Sequence, residues 1–440
     1  MEYTVSEVLQ YVQENDVKFI RLMFCDIFGQ VKNLAIMADT LEDAFANGVT
    51  FDASAVKGFM NIEESDLFLF PDPSTLAVLP WRPQQGRVVR FLCDIRYPDG
   101  TPFEGDGRYI LRQAERACLD AGYTCRIGSE CEFYLFETDE TGRPTRIPQD
   151  NAGYLDISPL DQGQNVRRDI CLTLERMDIK PESSHHEQGP GQNEIDFEYS
   201  GALRAADNLS TVKMVIKTIA ANNGLFASFL PKPLGNTSGS GLHINISLEK
   251  NGVNIFKSGE SGEHSKEAES FIAGVLHRIR EITVFLNPLT NSYHRFGHYD
   301  APDFITWSHQ NRSQLIRIPA AKEGHIRMEL RSSDPSCNPY LAFALLIRAG
   351  LDGIRHKRVL CPPSNFNLYT ASEEQLKGID MLPSTLERAV EAARESEFVH
   401  SALPRRTIDS FLEVKQDEWN RYLASVDKDK FENDAYFSIV

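Results

Sequence analysis

In four stretches of the chain, apolar and polar side chains alternate strictly, which predicts strands with one buried and one polar face. Cys131, Phe133 and Leu135 alternate with Glu130, Glu132 and Tyr134. Ile195, Phe197 and Tyr199 stand behind Glu194, Asp196 and Glu198. Leu242, Ile244 and Ile246 stand behind His243, Asn245 and Ser247, and Ile326, Met328 and Leu330 behind Arg327, Glu329 and Arg331. Alternation this regular fixes register, because a slip of one residue would turn every charge inward. Two further strand-like runs, Val17–Cys25 and Val31–Met37, are joined through Asp26–Gly29 as a hairpin, and Arg87–Arg96 forms another strand.

Apolar spacing of three and four residues predicts helices over 5–15, 108–121, 165–177, 206–223 and 267–286. Asn338-Pro339 reads as an N-cap with proline at the first helical position, opening an apolar helix to about residue 354. The tail carries helical patterns over 386–397, 408–424 and 431–440. The turn-dense segment 97–102 separates a strand-rich first part, 1–102, from a second part, 103–440, in which helices and strands alternate.

The four polar faces decide the chemistry. Antiparallel sheets often have one solvated face. These faces carry no lysine, the usual solvating residue on exposed strands. They carry Glu, Arg, His and Asn, which have defined ligand geometry. If the strands share a sheet, their carboxylates repel unless solvent, protons or cations intervene. Hard carboxylate oxygens with one imidazole suit Mg²⁺ or Mn²⁺ better than zinc or copper. Glu187, in the glycine-rich loop 185–191, offers a further ligand, while His185 and His186 read as packing or loop residues. Such a supply exceeds one ion and invites two that bridge phosphate oxygens. Arg295, Arg312, Arg317, Arg327 and Arg331 add guanidinium forks matched to phosphate and carboxylate. Metals with arginines point to phosphoryl transfer, although neither a phosphate-binding loop of the G-x-x-x-x-G-K-[ST] form nor a kinase motif set occurs.

Composition narrows the partners. The 440 residues are 41% hydrophobic and 25% charged, ordinary for a soluble protein of two domains. A net charge of -17 argues against general nucleic-acid or anionic-membrane binding. The N-terminus has no leader pattern, and no apolar run approaches the ~20 residues of a membrane span. Eight scattered cysteines without a C-x-x-C pair suit free thiols in a reducing compartment, so a cytoplasmic location is expected.

With these residues assembled, the chain resembles the type I glutamine synthetase family over nearly its full length. The resemblance rests on Phe51–Ser54, Gly128–Phe136, His186-Glu187, Gly191–Glu194, Lys232-Pro233, Gly239–His243, Asn311–Pro319 and Arg327–Pro339. It implies an α+β fold: a small β-grasp-like N-terminal domain, then a larger catalytic domain whose curved antiparallel sheet is lined by metal ligands and surrounded by helices. It implies a dodecamer of two hexamer rings with sites between subunits. By motif position, Glu132, Glu187 and Glu194 would hold one Mg²⁺ or Mn²⁺, and Glu130, His243 and Glu329 the other. Arg312, Arg317 and Arg327 would face ATP phosphates, with Asn245 and Ser247 also on the nucleotide. Arg295, Arg331 and Gly239 would face L-glutamate. Asp52, Tyr154 and Glu187 would form the ammonium pocket. The implied reaction phosphorylates the glutamate side chain from ATP and then displaces phosphate with ammonia.

The chain departs from the family pattern in places that bear on substrate closure and regulation. The flap, usually of the form N-S-Y-K-R-L-V-P-G-Y-E-A-P, is Asn291–Pro302 here, one residue shorter and with Asp300 for the usual Glu. Ala55 stands for a second Ser, Ser238 for an Asn, and Asn61 for an arginine linked to feedback inhibition. Tyr369 lies where another branch is adenylylated, but Thr370-Ala371 do not match that branch. The altered flap and Ala55 leave open a ligase that joins glutamate to an organic amine. A non-catalytic assembly protein or a two-metal phosphohydrolase are further readings of the residues.

Overall fold

The computed structural model describes residues 3–82, 84–256, 264–321 and 325–440. Its first sheet holds β1 (Val17–Cys25), β2 (Val31–Met37), β3 (Val49–Asp52), β4 (Asp66–Pro71), β5 (Ala77–Val78) and β6 (Arg87–Arg96). The order is β2–β1–β6–β4–β3, with β5 beside β6; β1 and β6 run parallel and the other pairs antiparallel. The predicted hairpin closes as expected. Asp26 Oδ1 accepts from Phe28 N at 3.0 Å and Gln30 N at 2.9 Å, and Gly29 takes the left-handed φ of 85° that the turn requires.

The second sheet is built from β7 (Thr124–Thr138), β8 (Pro144–Pro148), β9 (Pro181–His186), β10 (Gln192–Gly201), β11 (Leu225–Ser228), β12 (Leu242–Lys250), β13 (Val253–Asn254), β14 (Trp307–His309), β15 (Ile316–Ile318) and β16 (Met328–Leu330). Its main path is β14–β15–β16–β12–β7–β10–β9. The sheet is mixed rather than wholly antiparallel, because β14 and β15 pair in parallel at one edge. Behind it, Cys131, Phe133, Leu135, Ile195, Leu242, Ile244, Ile246, Met328 and Leu330 are all fully buried. Burial of side chains of this size stabilises by roughly 1.5–3 kcal/mol each, an upper figure for a compact unfolded chain. That apolar layer is what forces the polar layer to the front.

Of helices α1 (Val5–Glu14), α2 (Leu41–Asn47), α3 (Gly107–Asp120), α4 (Gln164–Glu175), α5 (Ala202–Asn222), α6 (Lys266–Leu286) and α7 (Pro339–Arg355), all but α2 fall close to the patterns that predict them; α2 is a short helix outside those patterns. α5 begins earlier than the pattern, because Ala202, Ala205 and Ala206 extend its buried side. The helix predicted over 386–397 is two, Leu386–Arg394 and Glu397–Ala402, since Ser396 accepts from Val399 N and caps a new start. The last segment is a short α-turn, Lys428–Glu432, followed by a wider π-turn, Asn433–Phe437.

Two contacts lock the sheets together. Asn338 caps α7 by accepting from Tyr340 N, and its amide donates to Asp26 O at 3.1 Å and Ile27 O at 3.2 Å in the hairpin turn. A side chain at Gly29 would meet the Asn338 backbone at 2.9 Å. The second contact is Arg108 on α3, which binds Asp72 and Asp94 from the first sheet region and Asp207 on α5.

Candidate active site

Strand register brings the four predicted faces onto one surface. Glu194 lies opposite Glu132, and Asp196 opposite Glu130. His243 lies opposite Glu130 from the other side, Asn245 opposite Glu329, and Arg317 opposite Glu329. Alternation puts all these side chains in front. Of these, Glu130, Glu132, Glu194, Asp196, His243 and Arg317 line a cavity of about 670 Å³ with Glu187, Tyr154, Gly239, Arg295, Asp300, Arg312, Arg327 and Arg331. Glu329 sits fully buried beneath it. Asn245 and Ser247 line a smaller adjoining hollow of about 150 Å³, which shares Glu130, Asp196 and Arg327 with the cavity. Asp52 lines neither. It ends β3 in the first sheet, where its carboxylate accepts from Ser54 N at 2.9 Å and Ser54 Oγ at 2.6 Å.

Charge is graded across this surface. At the β15–β16 edge, both oxygens of Glu329 are taken by guanidinium groups, Arg317 at 2.6 Å and Arg331 in shorter contact. Next, burial would raise Glu130, but His243 Nδ1 at 3.1 Å, Asn245 at 2.9 Å and the Arg327 charge hold it at about 2. Toward β10 burial outweighs the nearby positive groups, His243 and Arg295 at Glu132 and His185 at Asp196. Burial raises Glu132, and the Glu187 charge adds to this. Burial pushes Glu194 well up, reinforced by Asp196, Glu132 and Glu130. Asp196 is pushed up to about 6 by burial and by Glu130, and one of its oxygens is buried without a hydrogen-bond partner among the described residues.

Three overlapping groups place carboxylate and imidazole atoms within 4.8 Å of one another: Glu130–His243–Glu329, Glu132–Glu194–His243 and His185–Glu187–Glu194. The first is the triple that the family motifs imply. Glu132, Glu187 and Glu194, implied as the other, are spread over two groups that share Glu194. The donor set, carboxylates short of cations with one or two imidazoles, fits divalent oxygen-seeking ions.

The surroundings explain the local sequence. Gly239 has no room for a side chain, which would meet Pro231 O at 2.3 Å and Arg295 Cγ at 2.5 Å. Arg295 is buried, lines the cavity and donates to the carbonyls of Ser332 and Ser333; among the described residues its buried Nε has no hydrogen-bond partner. Gln192 donates to Glu132 at 2.9 Å and to Gly239 O at 3.1 Å.

Some residues behave differently from the sequence reading. His186 packs as expected, fully buried between Asp150 and Glu187 O. His185 does not. It faces the cluster, opposite Glu194 and 2.9 Å from Glu187. Extending the two-residue period back from Glu187 to His185 would have found it. Tyr199 is not on the apolar back. A register shift between Phe197 and Ser200 turns it out, 44% exposed, to line the smaller hollow. Gly128 beneath it leaves the space, since a side chain there would lie 3.2 Å from Tyr199 Cβ. Glu198 is likewise lifted out of the front row and reaches Lys180 at 3.6 Å. All eight cysteines are free, with Cys361 exposed. Among the described residues no helix is long and apolar enough to cross a membrane.

Carboxylates and imidazoles on neighbouring strands, beside arginines on the same cavity, are candidate groups for binding metal ions and anions. Comparison with known proteins gives the chain a family. Residues 104–434 match the model of the glutamine synthetase catalytic domain, and residues 16–98 that of the glutamine synthetase beta-grasp domain. Glutamine synthetase of Clostridium saccharobutylicum is 48% identical over 438 residues, 98% of each chain. That of Methanosarcina mazei is 48% identical over 427 residues, 96% of each chain. A solved GmaS–ADP complex superposes with a TM-score of 0.87 at 28% identity, covering 98% of this chain and 99% of the other. The chain belongs to the glutamine synthetase family and is an enzyme of that family.

Proposed function

We propose that the enzyme ligates ammonia to the side-chain carboxylate of L-glutamate at the expense of ATP, through γ-glutamyl phosphate, giving L-glutamine, ADP and phosphate. The observation that carries this reading is the graded front face: cation-hungry carboxylates at one side, arginines at the other, on one cavity wall. Glu130, His243 and Glu329 would hold one Mg²⁺ or Mn²⁺, and Glu132, Glu187 and Glu194 another, with His185 beside Glu187. Such cations would supply positive charge against the phosphate oxygens in phosphoryl transfer. Arg312, Arg317 and Arg327 bind the ATP phosphates, with Asn245 and Ser247 in the nucleotide hollow; similarity to a chain solved with ADP supports a nucleotide here. Arg295 and Arg331 bind the carboxylates of glutamate against Gly239, where the backbone approaches closely for want of a side chain.

Ammonium has no lone pair with which to attack, so a carboxylate must take its proton. Tyr154 and Glu187 lie on the cavity wall, whereas Asp52 of the same chain does not. As the family resemblance implies, Asp52 serves the site of a neighbouring copy, in a dodecamer of two stacked hexamer rings. Asp300 closes over the intermediate. The division at residue 102 then separates the part that lends Asp52 from the part that owns the metals, and the enzyme works in the cytoplasm.

The short flap ending in Asp300 favours a second reading, in which an organic amine is the acceptor. Phosphate release with ATP, Mg²⁺ and glutamate, with ammonium set against an amine panel, tests both. Ammonium giving the highest kcat/KM is expected. An amine ahead by about tenfold, ~1.4 kcal/mol of transition-state discrimination, would transfer the function to amide synthesis. ATP turnover indifferent to glutamate would overturn both.

A further inference from the structure

The flap acid is held from across the cavity mouth. Tyr299 and Asp300 are consecutive non-glycine residues with left-handed φ values of 45° and 63°. Such backbone persists where its surroundings over-determine it. The surroundings do so for the main chain. Gly297 N donates to Ala301 O at 2.8 Å, and Ala301 N to His298 O at 3.0 Å. Tyr299 Oη donates to Asn236 O at 3.3 Å, while the Lys232 ammonium lies 4.6 Å from its ring centre. Arg331 Nη2 reaches the Asp300 carbonyl at 3.5 Å. None of these touches the carboxylate. Among the described residues, that group receives its hydrogen bond from Gln188 Nε2, at 3.0 Å on Oδ2.

Gln188 stands at the opposite lip. It follows Glu187 directly, and its own N–H donates to Glu187 Oε2 at 3.0 Å. One residue therefore ties a carboxylate of the metal cup to the carboxylate of the flap, and both lips line the same cavity. The bond is neutral-to-charged, so it orients Asp300 without cancelling its charge.

We propose that Gln188 is a positioning residue that latches Asp300 over the acceptor pocket and offsets the short acid on the short flap. Its consequence is coupling. With the latch, the activated glutamate waits behind a closed mouth for the amine; without it, Asp300 swings free and water reaches the acyl phosphate. This rests on the glutamate-activating reading above.

The test is the ratio of ADP formed to amide formed at saturating ATP and glutamate, with the acceptor that the wild type uses best. Gln188→Ala should raise the ratio by about threefold while ADP formation stays within about twofold of wild type, a split that a folding defect does not produce. Gln188→Glu, which sets two carboxylates together, should raise it further. Asp300→Glu in the Gln188→Ala background should bring it back toward wild type, because the longer acid spans the gap alone. Ratios for both single variants equal to wild type overturn the latch. A wild type with no glutamate-dependent ADP release overturns the underlying reading as well, so the two failures are told apart by the wild-type assay.

Discussion

Two buried charge clusters in this molecule look alike in composition and differ in balance. At the junction of the sheets, Arg108 binds Asp72 at 2.8 Å, Asp94 at 2.6 Å and Asp207 at 3.0 Å, and Arg112 joins Asp94 at 3.0 Å. Arg90, buried alongside, donates to Thr75 O and Thr211 Oγ1. Burial alone would raise Asp72, but Arg108 holds it below the usual carboxylate range. Asp106, which caps α3, is the exception, pushed to about 7 by burial and Asp94. Ionised groups of the two signs thus match. On the front of the second sheet they do not match: Glu132, Glu194 and Asp196 are all raised by burial, and neighbouring carboxylates add to it, Glu187 for Glu132, Asp196 and Glu132 for Glu194, and Glu130 for Asp196. A matched cluster holds a fold together; an unmatched one stores repulsion that a cation relieves.

The largest expected effect breaks the matched cluster. Arg108→Met should leave Asp72, Asp94 and Asp207 without their common partner. A loss of about 3–5 kcal/mol is expected, as for other buried pairs broken on one side. Denaturant melts with and without Mn²⁺ check it, and added metal should not restore the loss. The equivalent cut in the unmatched cluster should behave in the opposite way. Glu194→Gln removes a buried repelled charge, so the metal-free protein should keep or gain stability, by up to about 1 kcal/mol. Its Mn²⁺-induced rise in Tm should shrink, and activity should be lost.

An effect of middle size comes from pH. The Asp196 carboxyl titrates near 3.8 when exposed and about 6 when folded. Between those values the native state binds more protons than the unfolded one, so stability falls as pH rises through that window. Glu132 and Glu194, raised by the same surroundings, extend the trend upward. His185 and His186, also raised, contribute stability present at low pH and lost as pH rises. Chelated protein should melt higher at about pH 5 than at about pH 7.5, and the stabilisation by Mn²⁺ should be larger at the higher pH. Equal metal increments at both would mean that the carboxylates do not bind the ion.

The smallest signal tests where Asp52 works. Asp52→Ala and Glu329→Ala oligomers should each be nearly inactive. Dissociated, mixed and reassembled, they should regain activity at roughly a quarter of interfaces if the ring is head-to-tail. No recovery in mixed oligomers verified by native mass spectrometry would exclude a shared site.

Alternation makes most of the second sheet legible in the sequence, because a strand buried on one side must repeat every second residue. It also marks the cluster, since Glu130, Glu194, His243 and Glu329 fall on that period. It fails where the backbone leaves the period. The shift after Phe197 moves Tyr199 and Glu198 to new faces, and no residue there announces it. Charge balance leaves no mark along the chain either. Arg108 on α3 meets Asp94 and Asp72 of the first sheet region, 14 and 36 residues away, and Asp207 on α5, 99 residues away. Gln188 and Asp300 meet across a cavity, 112 residues apart, with no pattern in either segment to join them.

The most direct measurement is calorimetric titration of Mn²⁺ into chelator-treated wild-type, Glu132→Gln and Arg108→Lys proteins. Wild type should bind at least about two ions per chain with proton release, the number and linkage that an unmatched carboxylate cluster supports. Glu132→Gln should lose one ion or weaken it by at least about tenfold, and Arg108→Lys should bind as wild type does. Unchanged stoichiometry and affinity in Glu132→Gln, or no Mn²⁺ binding by wild type, would contradict the reading of the front face as a metal centre.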